Sequence, residues 1–130
     1  MVVPPELRYT KEHEWARVEG STATVGITDH AQDQLGDMVY LDLPKVGTTL
    51  HQLEKLGEIE SVKAVSDIFS PLSGEVTDLN DEAVKSPELV NQDPYGRGWL
   101  VRLALSDDSE VDKLLTAEQY EALLAQEQGE

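Results

Sequence analysis

The sequence contains no cysteine. Disulfides within the chain, thiolate nucleophiles and cysteine-ligated metals are therefore excluded. Aromatic residues supply only 5 % of the positions, so any core must be filled mainly by Val, Leu, Ile and Ala. Cations are scarce as well: 10 Lys and Arg stand against 26 Asp and Glu, a formal net charge of −16. That balance argues against nucleic acid, whose phosphates need a cationic footprint, and against anionic membrane surfaces. It suits a soluble chain that meets partners through complementary charge, with many of the carboxylates serving only solubility. No apolar run approaches the roughly 20 residues of a membrane span. The opening "MVVPPELRYTKEHEW" has no basic stretch leading into an apolar one and is not rich in Arg and Ser. Neither a secretory nor a transit signal is expected, and the cytoplasm is the anticipated compartment.

What remains is dominated by strand patterns. A chain of 130 residues suggests one domain, residues 1–130, with a modest core. Trp15, Arg17 and Glu19 alternate with Ala16 and Val18, and "EGS" then turns the chain into Thr22 to Ile27, which reads as a hairpin. In "TDHAQDQLGD" a short helix is punctuated at both ends, with Asp29 as cap and Gly36 as stop. "DMVYLDLP" is read as a strand with Met38, Tyr40 and Asp42 on one face and Val39, Leu41 and Leu43 on the other. Further strands are expected over Val46 to Leu50, Leu56 to Val62, Val65 to Phe69, Gly74 to Leu79 and in "WLVRLAL". The segment from Asn80 to Trp99 is rich in Pro, Gly and Asn and should be mostly loop, with one helical turn near Glu82 to Lys85. From Asp107 to Glu130 there are eight acidic residues and one basic. Apolar residues at helical spacing, and Thr116 with Gln119 as a capping box, predict two short acidic amphipathic helices there. The expected architecture is a mostly β chain with short flanking helices: a flattened antiparallel sandwich or barrel over residues 7–105, and C-terminal helices over 106–130.

Chemistry-bearing constellations are few. His13, His30 and His51 lack the paired spacing of zinc sites, so no metal centre is expected. No GxSxG elbow occurs, and "PYGRGW" lacks a phosphate-binding lysine. No residue is assigned a catalytic role. One lysine stands out. Lys63 lies between two strand runs in "GEIESVKAVSDIFSPLSGEV", flanked by Val62 and Ala64, with Glu58, Glu60 and Asp67 nearby. An exposed lysine in a turn is ordinarily no more than a solubilising group. Here the small flanks leave its amine accessible, and the acidic surroundings favour recognition and acylation by another enzyme over nucleophilic catalysis by the lysine itself.

Glycine, acid, "ESVKA", proline and "SGEV" resemble the attachment hairpin of the biotinyl/lipoyl carrier fold. Over about nine tenths of its length the chain resembles the H-protein family of the glycine cleavage system. "HEW" at His13 to Trp15, "VGITDHAQDQLGD" at Val25 to Asp37, "ESVKAVSD" at Glu60 to Asp67, "SPLSGEV" at Ser70 to Val76 and "LVNQDPYGRGWL" at Leu89 to Leu100 carry the resemblance in order. It implies lipoate in amide linkage on Lys63 at a hairpin tip, and a role as carrier rather than enzyme. A pyridoxal-phosphate decarboxylase (P-protein) would load the aminomethyl group of glycine. A tetrahydrofolate-dependent aminomethyltransferase (T-protein) would unload it, and a flavin-dependent dihydrolipoyl dehydrogenase (L-protein) would reoxidise the dithiol. A lipoate-attaching enzyme is the fourth implied partner, and a monomer is expected. By the same resemblance Glu14, and after it Asp67, would contact the loaded arm in a cleft, with Trp15 packed beneath. Glu12 and Gln34 depart from the family's usual small polar residue and histidine. A lipoyl or biotinyl module of another complex is the alternative, but biotinyl sites usually place Met on both sides of the lysine and 2-oxo-acid dehydrogenase modules place Asp before it. A lipoate-relay protein would share the lysine, and transfer assays alone separate it.

Overall fold

The computed structural model describes residues 1–128. The order of elements is β1 (Arg8–Tyr9), β2 (Glu14–Glu19), β3 (Thr22–Ile27), α1 (Asp29–Leu35), β4 (Met38–Asp42) and β5 (Thr49–Leu50). There follow β6 (Lys55–Ser61), β7 (Val65–Phe69), β8 (Gly74–Leu79), α2 (Asp81–Lys85), α3 (Glu88–Gln92) and β9 (Val101–Leu105). A 3-10 helix (Asp108–Lys113) and α4 (Ala117–Gln128) complete the chain.

All pairings are antiparallel and form two sheets, one ordered β1-β2-β3-β9-β8-β5 and one ordered β4-β6-β7. Neither sheet closes on itself, so the architecture is a sandwich and the barrel alternative does not apply. The main core lies between them. Val25 and Ile27 of β3, Val101 and Leu103 of β9 and Val76 of β8 meet Leu41 of β4, Leu56 and Ile59 of β6 and Ile68 of β7, all buried. These are the aliphatic side chains that the shortage of aromatics required. A second cluster holds most of the buried aromatic mass: Tyr9, Trp15 and Tyr120 pack with Leu7, Ala117 and Leu124. Here α4 covers β1, the edge strand of the larger sheet, and Tyr9 stacks on Tyr120 with ring centroids 4.6 Å apart. Capping an edge strand in this way removes a template for intermolecular pairing.

Several local expectations change. The helix α1 is capped by Thr28, whose side chain accepts from the Ala31 N–H at 3.2 Å, while Asp29 instead accepts from Gln32 Nε2 at 2.7 Å. Gly36 closes that helix at φ +83, a left-handed conformation that glycine adopts without steric cost. In β4 the alternation is broken by a bulge between Met38 and Tyr40, so Met38 and Leu41 are buried while Val39 and Tyr40 both face solvent. The proline-flanked segment expected to be loop contains α3, which places Leu89 and Val90 in the interior. The reciprocal cap at the start of α4 is present: Thr116 N–H donates to Gln119 Oε1 at 2.9 Å, and Gln119 N–H donates to Thr116 Oγ1 at 3.2 Å. The segment before it is a 3-10 helix in place of a second amphipathic α-helix.

Candidate functional site

Strands β6 and β7 form a hairpin whose bend contains Val62 and Lys63. Ser61 builds the bend. Its buried hydroxyl oxygen accepts from the N–H of Lys63 at 3.2 Å and of Ala64 at 3.1 Å, and its own N–H donates to the Ala64 carbonyl at 2.8 Å. A short hydroxyl side chain stabilises such a turn by standing in for a backbone acceptor. Val62 N–H donates to the Asp37 carbonyl at 2.9 Å, which fastens the tip to the junction of α1 and β4. Lys63 itself is exposed and makes no ion pair among the described residues. Its Cε lies 4.0 Å from the position a Cβ would occupy at Gly36.

Two of the three acidic residues expected around that amine, Glu58 and Asp67, are engaged elsewhere, while Glu60 stays exposed on β6. Lys55, at the far end of the hairpin, binds Glu58 at 2.6 Å and Asp67 at 3.3 Å. Glu58 and Asp67 are register partners, and the pair of carboxylates, Glu58 first, strengthens proton retention by the Lys55 ammonium. Beside Glu60, the tip is surrounded by apolar side chains. Val62, Val65 and Tyr40 are 69 %, 60 % and 57 % exposed, and Tyr40, Glu60 and Val65 are in register across the three strands. Exposed apolar groups beside a projecting amine offer a face against which another protein can dock.

Glu14 is placed quite differently. Only 1 % of its surface is accessible, and its carboxyl bridges the two sheets. One oxygen accepts from Thr10 Oγ1, and the other from the Phe69 N–H at 3.2 Å. It is therefore not an edge carboxylate facing solvent. Burial is the main cause that lifts its pKa from the ordinary 4.5 to about 7, opposed by the hydrogen bonds from Thr10 and Phe69. Along β7, Val65, Asp67 and Phe69 share one face, spanning about 13 Å at the usual strand rise. That face leads from the lysine tip, past Asp67, to the backbone group that holds Glu14. Beside Thr10 lies a groove of about 360 Å³, whose walls include Glu12, Gln52, Leu53 and Leu114. Of the two departures from the family pattern, Glu12 thus lines this groove, whereas Gln34 is exposed on α1. Trp15 is fully buried, its Nε1 donating to the Pro94 carbonyl at 3.1 Å.

Ser61, Thr10 and Lys55 were not singled out by the sequence. A serine two positions before the lysine in a short bend is a recognisable turn signal. The roles of Thr10 and Lys55 depend on strand register.

The shifted Glu14 carries a testable consequence. The folded chain holds this proton more tightly than the unfolded chain does, so the associated stability is complete below pH 4.5 and is lost as pH rises to about 7. The isosteric Glu14→Gln chain has no such group. Its stability relative to the parent should rise by on the order of 3 kcal/mol between those pH values. Urea denaturation of both chains across that range checks it, and parallel curves would place the carboxyl in a solvent-like environment.

The family model described as "Glycine cleavage H-protein" matches residues 7–127. The glycine cleavage system H protein of Carboxydothermus hydrogenoformans is 49 % identical over 129 residues, covering 99 % of this chain and 98 % of that protein. That of Rubrobacter xylanophilus is 55 % identical over 126 residues, covering 97 % and 98 %. The crystal structure of a glycine cleavage system H protein from Mycobacterium marinum superposes with a TM-score of 0.85 at 39 % identity, covering 98 % of this chain and 100 % of that one.

Proposed function

Because the chain belongs to the glycine cleavage H-protein family, we propose that it is the lipoyl carrier of that system, with lipoate amide-linked to Lys63. The observation that supports this best is the exposed Lys63 amine at a hairpin tip, free of ion pairs among the described residues. An amine so placed fits the attachment, since a ligase can reach it without unfolding anything. When bound, the lipoyl group supplies the disulfide and dithiol chemistry that a cysteine-free chain lacks. The carrier takes the aminomethyl group of glycine from the P-protein to the T-protein and is then reoxidised by the L-protein. It acts in the cytoplasm as a monomer and is a protein substrate for these enzymes and for the lipoate-attaching enzyme.

The chain's own residues have three tasks in this reading. Ser61 fixes the bend so that the Lys63 side chain projects in a constant direction. Val62, Val65 and Tyr40 form the apolar surround that partner enzymes contact. Glu14, with Asp67 on the approach to it, receives the cationic amine of the cargo and keeps it from water, which suppresses unwanted hydrolysis. A buried carboxyl that titrates near neutrality suits that role, because an arriving ammonium favours its ionised form.

Intact-mass analysis of the protein from its native host tests the attachment. One lipoyl-amide increment mapped to Lys63 is expected, and biotin's increment would reassign the carrier. For the cargo site, a Glu14→Ala chain should lose the carried aminomethyl group to hydrolysis faster than the parent. An unchanged lifetime would remove Glu14 from the site.

A further inference from the structure

Two of the three histidines, 17 positions apart in sequence, stand side by side in the fold. His13, in the loop between β1 and β2, and His30, in the first turn of α1, have ring centroids 4.7 Å apart. The end of α4 brings a carboxylate to the same place, with Glu127 Oε1 3.5 Å from His13 Nε2. One ring nitrogen from each histidine and one Glu127 oxygen all lie within 4.8 Å of one another. We propose that His13, His30 and Glu127 bind a divalent transition-metal ion of the zinc type, a site separate from the lipoyl lysine and from Glu14.

Four features support the assignment. First, the donor set is two imidazoles and a carboxylate, which suits borderline metals such as zinc and leaves a fourth position for water. Second, His30 is only 8 % exposed, and its Nδ1 has no hydrogen-bond partner among the described residues. Buried polar atoms are nearly always paired, so an unpaired nitrogen on a ring that belongs to this cluster calls for a ligand. Third, His13 is already oriented from behind. Its Nδ1 lies 2.8 Å from Tyr120 Oη, which lies 2.7 Å from Thr28 Oγ1, the cap of the helix that carries His30. With Nδ1–H donating to the tyrosine, the Nε2 lone pair faces Glu127. That is the tautomer a metal requires, and the tyrosine hydroxyl, which can accept from Nδ1–H, is compatible with it. Fourth, Glu127 Oε1 already stands 3.5 Å from His13 Nε2, so the carboxylate and the imidazole face each other across the proposed position.

The dimensions are compatible. Ligand bonds of 2.0–2.1 Å in a tetrahedron give edges of about 3.3 Å. The His13–Glu127 spacing nearly matches that edge, and the widest spacing, at most 4.8 Å, exceeds it by about 1.5 Å. Rotation of the half-exposed Glu127 side chain and small ring shifts close that gap. Backbone strain also marks the spot: His13 has φ +73, a left-handed conformation uncommon for a residue with a side chain. Bound metal would tie the β1–β2 loop, the start of α1 and the end of α4 together.

The test uses the full-length unlipoylated chain, so its result is independent of the carrier reading. Zinc alone is titrated in millimolar magnesium, which occupies the many surface carboxylates, and affinity is read by competition with a chromophoric chelator. One equivalent is expected to bind, and cobalt in its place should give the intense visible bands of a low-coordinate centre. Glu127→Gln, His30→Gln and His13→Asn (Asn tolerates the left-handed backbone) should each weaken binding at least tenfold, whereas His51→Ala should not. Glu127 lies near the exposed end of α4, so its variant folds even where a change at buried His30 does not. Wild-type affinity in Glu127→Gln, or in a folded histidine variant, overturns the proposal, as does zinc that magnesium displaces.

Discussion

A Lys63→Arg chain is expected to fold like its parent and to accept no lipoyl group. Amide formation needs a neutral amine with a free lone pair, and a guanidinium retains its proton under any physiological condition. The structural effect should be small because Lys63 is exposed and makes no ion pair among the described residues. Its backbone N–H, which Ser61 uses to build the bend, is unaffected by the substitution. Surface changes of this kind usually stay within about 0.5 kcal/mol. Intact mass should show no acyl increment after incubation with ligase and lipoate. Reconstituted glycine cleavage should fall to background, and urea midpoints should coincide. A retained increment would move the attachment to another lysine, and a large loss of stability would make Lys63 structural.

The second large effect falls on the fold. Trp15→Ala should cost about 3–5 kcal/mol, the range for deleting a buried aromatic side chain, out of a total of about 5–15 kcal/mol for a typical domain. The indole is fully buried between the larger sheet and Tyr95, and it satisfies the Pro94 carbonyl. It also rests directly on Gly26, its register partner in β3, where an added Cβ would come within 2.6 Å of the ring. Gly26→Ala alone should therefore overpack the site at a cost of about 1–3 kcal/mol. Combined with Trp15→Ala, the same methyl enters vacated space and should partly restore stability. The two substitutions should couple by more than about 0.5 kcal/mol in a double-mutant cycle. Simple additivity would show that ring and glycine do not touch.

Much of this molecule was legible from local pattern. The β2–β3 hairpin, β9, the Gly36 stop and the Thr116–Gln119 cap depend on residues within a few positions of one another, where periodicity and turn chemistry act. The lysine in its bend was legible for the same reason. The features that local pattern did not reveal share a different cause. β1 has two residues, too few to display any period, and it exists because β2 on one side and Leu115 on the other accept its hydrogen bonds. The bulge in β4 depends on the strand it pairs with, so alternation alone could not reveal that Val39 and Tyr40 both face outward. Thr28 displaces Asp29 as cap because its hydroxyl is also held by Tyr120, 92 positions away. Asp67 could be found as a carboxylate near Lys63, but its pairing with Lys55 follows from hairpin register. The burial of Glu14 needed both sheets to be assembled, since its partners come from a loop and from the end of β7. His13, His30 and Glu127 meet only after three separate segments have converged.

The pinning of Lys55 bears on fidelity. The β6–β7 hairpin carries two primary amines, one at each end. Lys55 is gripped by two carboxylates that keep it ionised and crowd its nitrogen. Under the proposed attachment these ion pairs disfavour Lys55 as a competing acceptor, because a free lone pair on its nitrogen requires the contacts to loosen first.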